Sequence, residues 1–196
     1  FNSEFELAAN SDGSIPEIMS AFSESNVRAD AKAFASLMKY IRKADGSEGT
    51  VIMVQVENEI GMLGDARDHS KLAQNAYNSP VPYDMMYMLT SGKANDHIND
   101  VWKAAGKATT GSWKEVFGSS LEADEIFMAY WYARYTERVA AAGKTEYDIP
   151  MFVNTALNSR GRKAGEYPSA GPLAHLMPIW KTVAPSIDLI CPDIYD

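Results

Sequence analysis

The run Val51-Ile52-Met53-Val54-Gln55-Val56 is apolar at every position but one, and it stops abruptly at Glu57-Asn58-Glu59 with Gly61 close behind. Alternation would mark a strand with one wet face, whereas an almost unbroken apolar run of this length reads as a parallel strand covered on both faces. A buried strand is therefore expected over residues 50–56. Parallel strands need long crossover connections, so the rest of the chain is constrained to alternate strands with helices. Two carboxylates flanking an amide do not belong in a core, which makes the strand's carboxyl end the place to look for chemistry.

The flanking sequence follows that alternation. Val27, Ala31, Phe34, Met38 and Ile41 recur at a spacing near 3.6 while Arg28, Lys32, Lys39 and Arg42 fill the other faces, predicting an amphipathic helix over 25–45 that Gly46 and Gly49 end. Residues 61–82, rich in Asp, Ser, Asn and Pro, show no period and read as a long loop. Short helices are expected over 84–91 and 97–105, and Ser112-Trp113-Lys114-Glu115 has the form of a capping box. A longer helix over 122–142 turns Ile126, Phe127, Tyr130, Ala133 and Val139 inward and is closed by Gly143. A second strand over 149–154 ends in Asn154, residues 158–171 form a loop, and 172–183 is helical in pattern with Pro178 expected to kink or interrupt it. A third strand over 187–191 leads into Asp193 and Tyr195. Polar residues wait at the end of each strand, and no repeat or linker divides the chain, so a single α/β unit is the simplest organisation.

Composition removes several function classes. The 196 residues are 46% hydrophobic and 22% charged, enough for a substantial core. A net charge of −8 with scattered Lys and Arg gives no footprint for a phosphate backbone, so no nucleic-acid partner is expected. No segment approaches the roughly 20 apolar residues of a membrane-spanning helix. The lone Cys191 excludes an internal disulfide and a thiolate zinc cluster, and His69, His97 and His175 are dispersed without metal-ligand spacing. No metal and no cofactor are expected.

The strand end "MVQVENEIG" resembles the acid/base strand of glycoside hydrolase family 35, the β-galactosidases of a large clan of retaining glycosidases on (β/α)8 barrels. "TVIMVQVENEIGMLGDARDHS", "EIFMAYWYARYTERVAAAGK", "PMFVNTAL", "GEYPSAGP" and "PSIDLICPDIYD", in that order, extend the likeness to a bacterial subgroup of family 35-like enzymes along nearly the whole chain. The resemblance implies a (β/α)8 TIM barrel, present here as a partial barrel of about strands four to six with their helices, lacking three strands before and two after. It implies a β-galactoside substrate, with another clan member such as a β-glucosidase or arabinosidase, or a catalytically silent carbohydrate-binding fragment, as alternatives. Compartment and oligomeric state stay open, a periplasmic or secreted setting being what the likeness implies.

By the same resemblance Glu59 is the general acid/base and Asn58 the amide that binds the sugar's 2-hydroxyl, while the second carboxylate of a retaining mechanism, about 5–5.5 Å away, falls outside this chain. Strand alternation turns Glu57 with Glu59, but the family gives it no catalytic role, and a salt bridge beneath the site is expected for it. Asn154 and Tyr195, ending the other strands, are candidate substrate contacts, against a strand-terminating turn for Asn154. Arg67 is a further candidate ligand, although an Arg67–Asp68 pair in a long loop as readily braces that loop. His69 is expected to be a surface or bracing residue. Phe127, Tyr130, Trp131, Tyr132 and Tyr135 lie at helical spacing and are expected to pack, and Trp113 is the better candidate for a sugar platform.

Overall fold

The computed structural model describes residues 5–158 and 160–194. Ser23 caps the first helix, α1 (Glu24–Asp45), by accepting from the Asn26 N–H, and the chain then enters β1 (Val54–Gln55). Five helices follow before the next strand: α2 (Lys71–Tyr77), α3 (Tyr83–Thr90), α4 (Asp96–Ala104), α5 (Trp113–Phe117) and α6 (Leu121–Glu146). β2 (Met151–Thr155), α7 (Met177–Val183) and β3 (Leu189–Pro192) complete the described elements.

The strands form one parallel sheet in the order β1-β2-β3, with Val54 opposite Met151 and Phe152 opposite Leu189. This is the neighbour order expected from the sequence. The partial (β/α)8 barrel is not what forms. Among the described residues there are seven helices and a small three-stranded sheet, a small α/β domain whose first crossover carries α2 to α6 instead of a single helix. Sheet closure requires many tilted strands in continuous register, and three strands of two, five and four residues leave both edges open.

The core correspondingly lies among the helices. α6 buries residues all round its axis, including Ile126, Phe127, Met128, Tyr130, Tyr132 and Val139, because α1, α4, α5 and α7 pack against it. Its aromatic residues pack on Trp113, whose ring centroid lies 5.1 Å from that of Phe127 and 5.5 Å from that of Tyr130. Trp113 is 1% exposed and so is core, not platform. The capping box at Ser112 and Glu115 forms as its sequence form requires.

Several local expectations need correction. The opening run is not buried on both faces: pairing begins only at Val54, Ile52 is 69% exposed and Met53 37% exposed. The expected loop over 61–82 contains α2, which Ser70 caps and which Ala73 and Tyr77 anchor, too short to show a period. α6 passes through Gly143 to Glu146, because Gly143 is where α1 crosses and any Cβ there would overlap the Phe34 ring. Pro178 kinks nothing: it sits in the first turn of α7, where its missing N–H has no intrahelical partner to lose.

Candidate functional site

Beyond β1 the backbone changes character. Val56 is fully buried and its N–H still donates to Phe152 O at 2.8 Å, but Glu57 and Glu59 then adopt left-handed conformations with φ of 59° and 47°. L-residues with side chains avoid this region, and two in three residues mark a segment held against its local preference, at a cost of roughly 1–3 kcal/mol each. The holding groups are identifiable. Gln55, the one polar residue of the apolar run, donates from Nε2 to Glu57 O at 3.0 Å and to Asn58 Oδ1 at 3.1 Å. Asn154, from the end of β2, accepts the Glu59 N–H at 2.7 Å and donates to Asn58 Oδ1 at 3.2 Å and Asp193 Oδ2 at 2.9 Å. Gly61 follows because the chain then runs against Pro168, where a Cβ would lie 2.6 Å from the backbone.

These bonds fix how Asn58 presents itself. Its Oδ1 accepts from both Gln55 and Asn154, while no described residue takes a hydrogen from its Nδ2, so the exposed amide offers donors outward. Asn154 is different. It is 6% exposed and its polar atoms serve Glu59, Asn58 and Asp193, making it a strut between the tips of β1 and β2 and the segment after β3.

Asn58 and Glu59 open, with Glu57, Asp30, Glu17, Tyr132 and Tyr135, on a cleft of about 290 Å³ that no cationic side chain lines. The expected salt bridge of Glu57 is absent among the described residues. Instead Glu57 faces Asp30 of α1, whose Oδ2 accepts from the Tyr135 hydroxyl at 3.0 Å. Burial, then the charge of Asp30 and a hydrogen bond shared with it, push the Glu57 carboxyl up from 4.5 to about 8. Burial and the same Asp30 raise the Tyr135 phenol. Sequence reasoning missed Asp30 and treated Tyr135 as packing. One signal was available: Asp30 stands three residues after Val27 and four before Phe34, inside the apolar stripe of α1, where a carboxylate needs a reason to be.

Arg67 is not brought to this cleft. It is 7% exposed, its Nε lies 3.0 Å from Asp124 Oδ1, and its guanidinium sits 4.2 Å from the centroid of the Tyr77 ring. Asp68, fully buried, accepts from the Ala9 and Ser70 N–H groups and from the Ser20 hydroxyl. Both residues brace the segment between β1 and α2, the alternative weighed for the pair, and Arg67 does not line the cleft at Glu59. Its sequence context could not separate the two roles, because a buried and an exposed Arg look alike in a loop without period. Tyr195 lies outside the described residues.

The histidines are less dispersed than their spacing suggests. His175 Nε2 is 3.0 Å from Glu125 Oε2 and its ring centroid 4.8 Å from that of His97. The buried Glu125 also accepts from the Tyr167 hydroxyl and the Ala170 N–H, which ties α6 to the segment before α7. His69 lies 3.5 Å from Asp65. No group of three His, Cys, Asp or Glu residues able to hold a metal ion occurs among the described residues, and none of their helices is long and apolar enough to cross a membrane.

No protein-family model matches this chain, and no curated protein matches it.

Proposed function

We propose that the chain carries the acid/base half of a retaining glycoside hydrolase that releases terminal β-galactose from oligo- or polysaccharides. The observation that bears most weight is the strained Glu57-Asn58-Glu59 turn at the carboxyl end of β1, fastened by Gln55 and Asn154 and open to a cleft without cations. The choice of galactose and the assignment within the turn rest on the resemblance of "VENE" and its neighbouring blocks to family 35.

Glu59 donates a proton to the glycosidic oxygen as the bond to the anomeric carbon breaks, and a second carboxylate, which the resemblance puts outside this chain, attacks that carbon from the opposite face. Glu59 as carboxylate then takes a proton from the water that releases the glycosyl-enzyme. The outward amide hydrogens of Asn58 grip the 2-hydroxyl oxygen, a contact that tightens as positive charge develops on the ring. Glu57, paired with Asp30, holds a proton at neutral pH and lowers the negative charge that would otherwise crowd Glu59.

The test is leaving-group dependence in the complete gene product. Glu59→Gln is expected to slow galactosides with basic alkoxide leaving groups by about 10²–10⁴-fold, and aryl galactosides with acidic phenols far less in their first step. Uniform slowing across the series would contradict the proton-donor role. Equal turnover of glucosides or arabinosides would move the substrate to another member of the clan.

A further inference from the structure

Tyr83 has the most exposed aromatic ring among the described residues, with 83% of its surface in water. It begins α3, and Tyr87, one turn later on the same face, is 47% exposed. Their ring centroids are 6.1 Å apart and their planes differ by 22°, so the two rings brace one another into an extended aromatic surface. Neither hydroxyl is hydrogen-bonded to a described residue, and nothing in the fold uses the surface.

Tyr87 also borders a cleft of about 610 Å³ between α3 and α7, where Met177 and Pro178 supply apolar surface and Lys93, Lys181, Asn95 and Thr182 supply polar groups. No carboxylate of the described residues lines it, although the chain as a whole carries a net charge of −8. Lys93 Nζ stands 5.0 Å from the centroid of the Tyr87 ring, and neither Lys93 nor Lys181 takes part in an ion pair among the described residues. The cleft shares no lining residue with the one at Glu59.

We propose that this face is a second carbohydrate site, for an acidic oligosaccharide whose pyranose rings lie on Tyr83 and Tyr87 and whose uronate carboxylates pair with Lys93 and Lys181. The C–H faces of a pyranose carry partial positive charge and complement the negative face of an aromatic ring, and mutually braced tyrosines lose little rotamer freedom when one is covered. Two ammonium groups outside any ion pair among the described residues, in a cleft that no described acid lines, select an anionic ligand over a neutral one. Two cations are too few for a phosphate backbone, which rewards long basic tracks. Only the choice of a glycan rests on the proposed carbohydrate chemistry. Binding here is read without any turnover, so failure at this face and failure of the Glu59 assignment are separately visible.

The experiment is affinity electrophoresis and calorimetry of the full chain with an oligogalacturonate and a neutral galactan oligomer, at low and high salt. The acidic oligomer should bind at least tenfold more tightly, and salt should erode the difference. Tyr83→Ala, at an exposed position that cannot disturb the core, should weaken binding about tenfold. The pair Lys93→Ala and Lys181→Ala should abolish the preference for the acidic oligomer. Equal binding of both oligomers, or unaltered binding by Tyr83→Ala, would each overturn the proposal. So would sedimentation showing that Tyr83→Ala removes self-association while leaving glycan binding intact, which would make the face a protein contact.

Discussion

Glu57, its carboxyl pushed up to about 8, and Glu59 both lie in left-handed backbone at the end of β1. Glu57 is raised above its ordinary value of 4.5, so the folded chain holds that proton more firmly than the unfolded chain does. Its contribution to stability is therefore fully present below pH 4.5 and disappears as pH rises through about 8. The melting temperature is expected to fall across that window, and Glu57→Gln, which keeps a neutral hydrogen-bonding group, should flatten the fall. A thermal melt series from pH 4 to 9 on both proteins checks this, and identical slopes would remove the proton from Glu57. Asn154 calls for a different readout. Asn154→Ala strips an acceptor from the Glu59 N–H and a donor from Asn58, so stability should drop by about 1–3 kcal/mol. In the complete gene product kcat should fall about tenfold or more, because the reacting groups lose their fixed positions.

At the scale of elements, what was legible followed from chemistry local to the chain. The capping box at Ser112 needs only four residues to form, and the strands over 149–154 and 187–191 were found within a few residues because their apolar runs are bounded by turns. What escaped was fixed by distant partners. Gly143 looks like a stop signal, yet Phe34 of α1, far away in sequence, makes its missing side chain a packing requirement inside α6. Gly143→Leu should therefore cost at least about 1–3 kcal/mol by overpacking the α1–α6 crossing, measured by denaturant unfolding, whereas a simple C-cap glycine would lose less. The opposite error occurred at Ile52, apolar in a run that looked buried and in fact 69% exposed. Ile52→Lys should shift stability by no more than about 0.5 kcal/mol, and a loss of several would restore the two-sided burial that hydrophobicity alone suggested. At the site, the Glu57-Asn58-Glu59 tip was visible as charge ending an apolar run, but Asp30 and Tyr135 reach it from α1 and α6, a convergence that no spacing along one segment encodes.

For the whole molecule, the sheet order and the long first crossover place the ends of β1 and β2 side by side, so that one amide, Asn154, can join them. Topology thus brings two strand tips together, in a sheet that among the described residues is open and three-stranded. The proposed double displacement needs a second carboxylate that acts as nucleophile, and one group cannot be both nucleophile and acid. On the proposed reading, with the nucleophile outside these residues, the 196-residue chain by itself is expected to show no turnover of an aryl β-galactoside above background; robust turnover by the purified chain would place the nucleophile among its own carboxylates. The central assignment, Glu59 as acid/base, is tested most directly by azide rescue in the complete gene product. With an activated aryl galactoside, Glu59→Gln should accumulate the glycosyl-enzyme, and azide, which attacks without a general base, should restore turnover and yield β-galactosyl azide. Glu57→Gln should give no azide adduct. Azide rescue of Glu57→Gln, with Glu59→Gln behaving as wild type, would contradict the assignment and exchange the roles of the two glutamates.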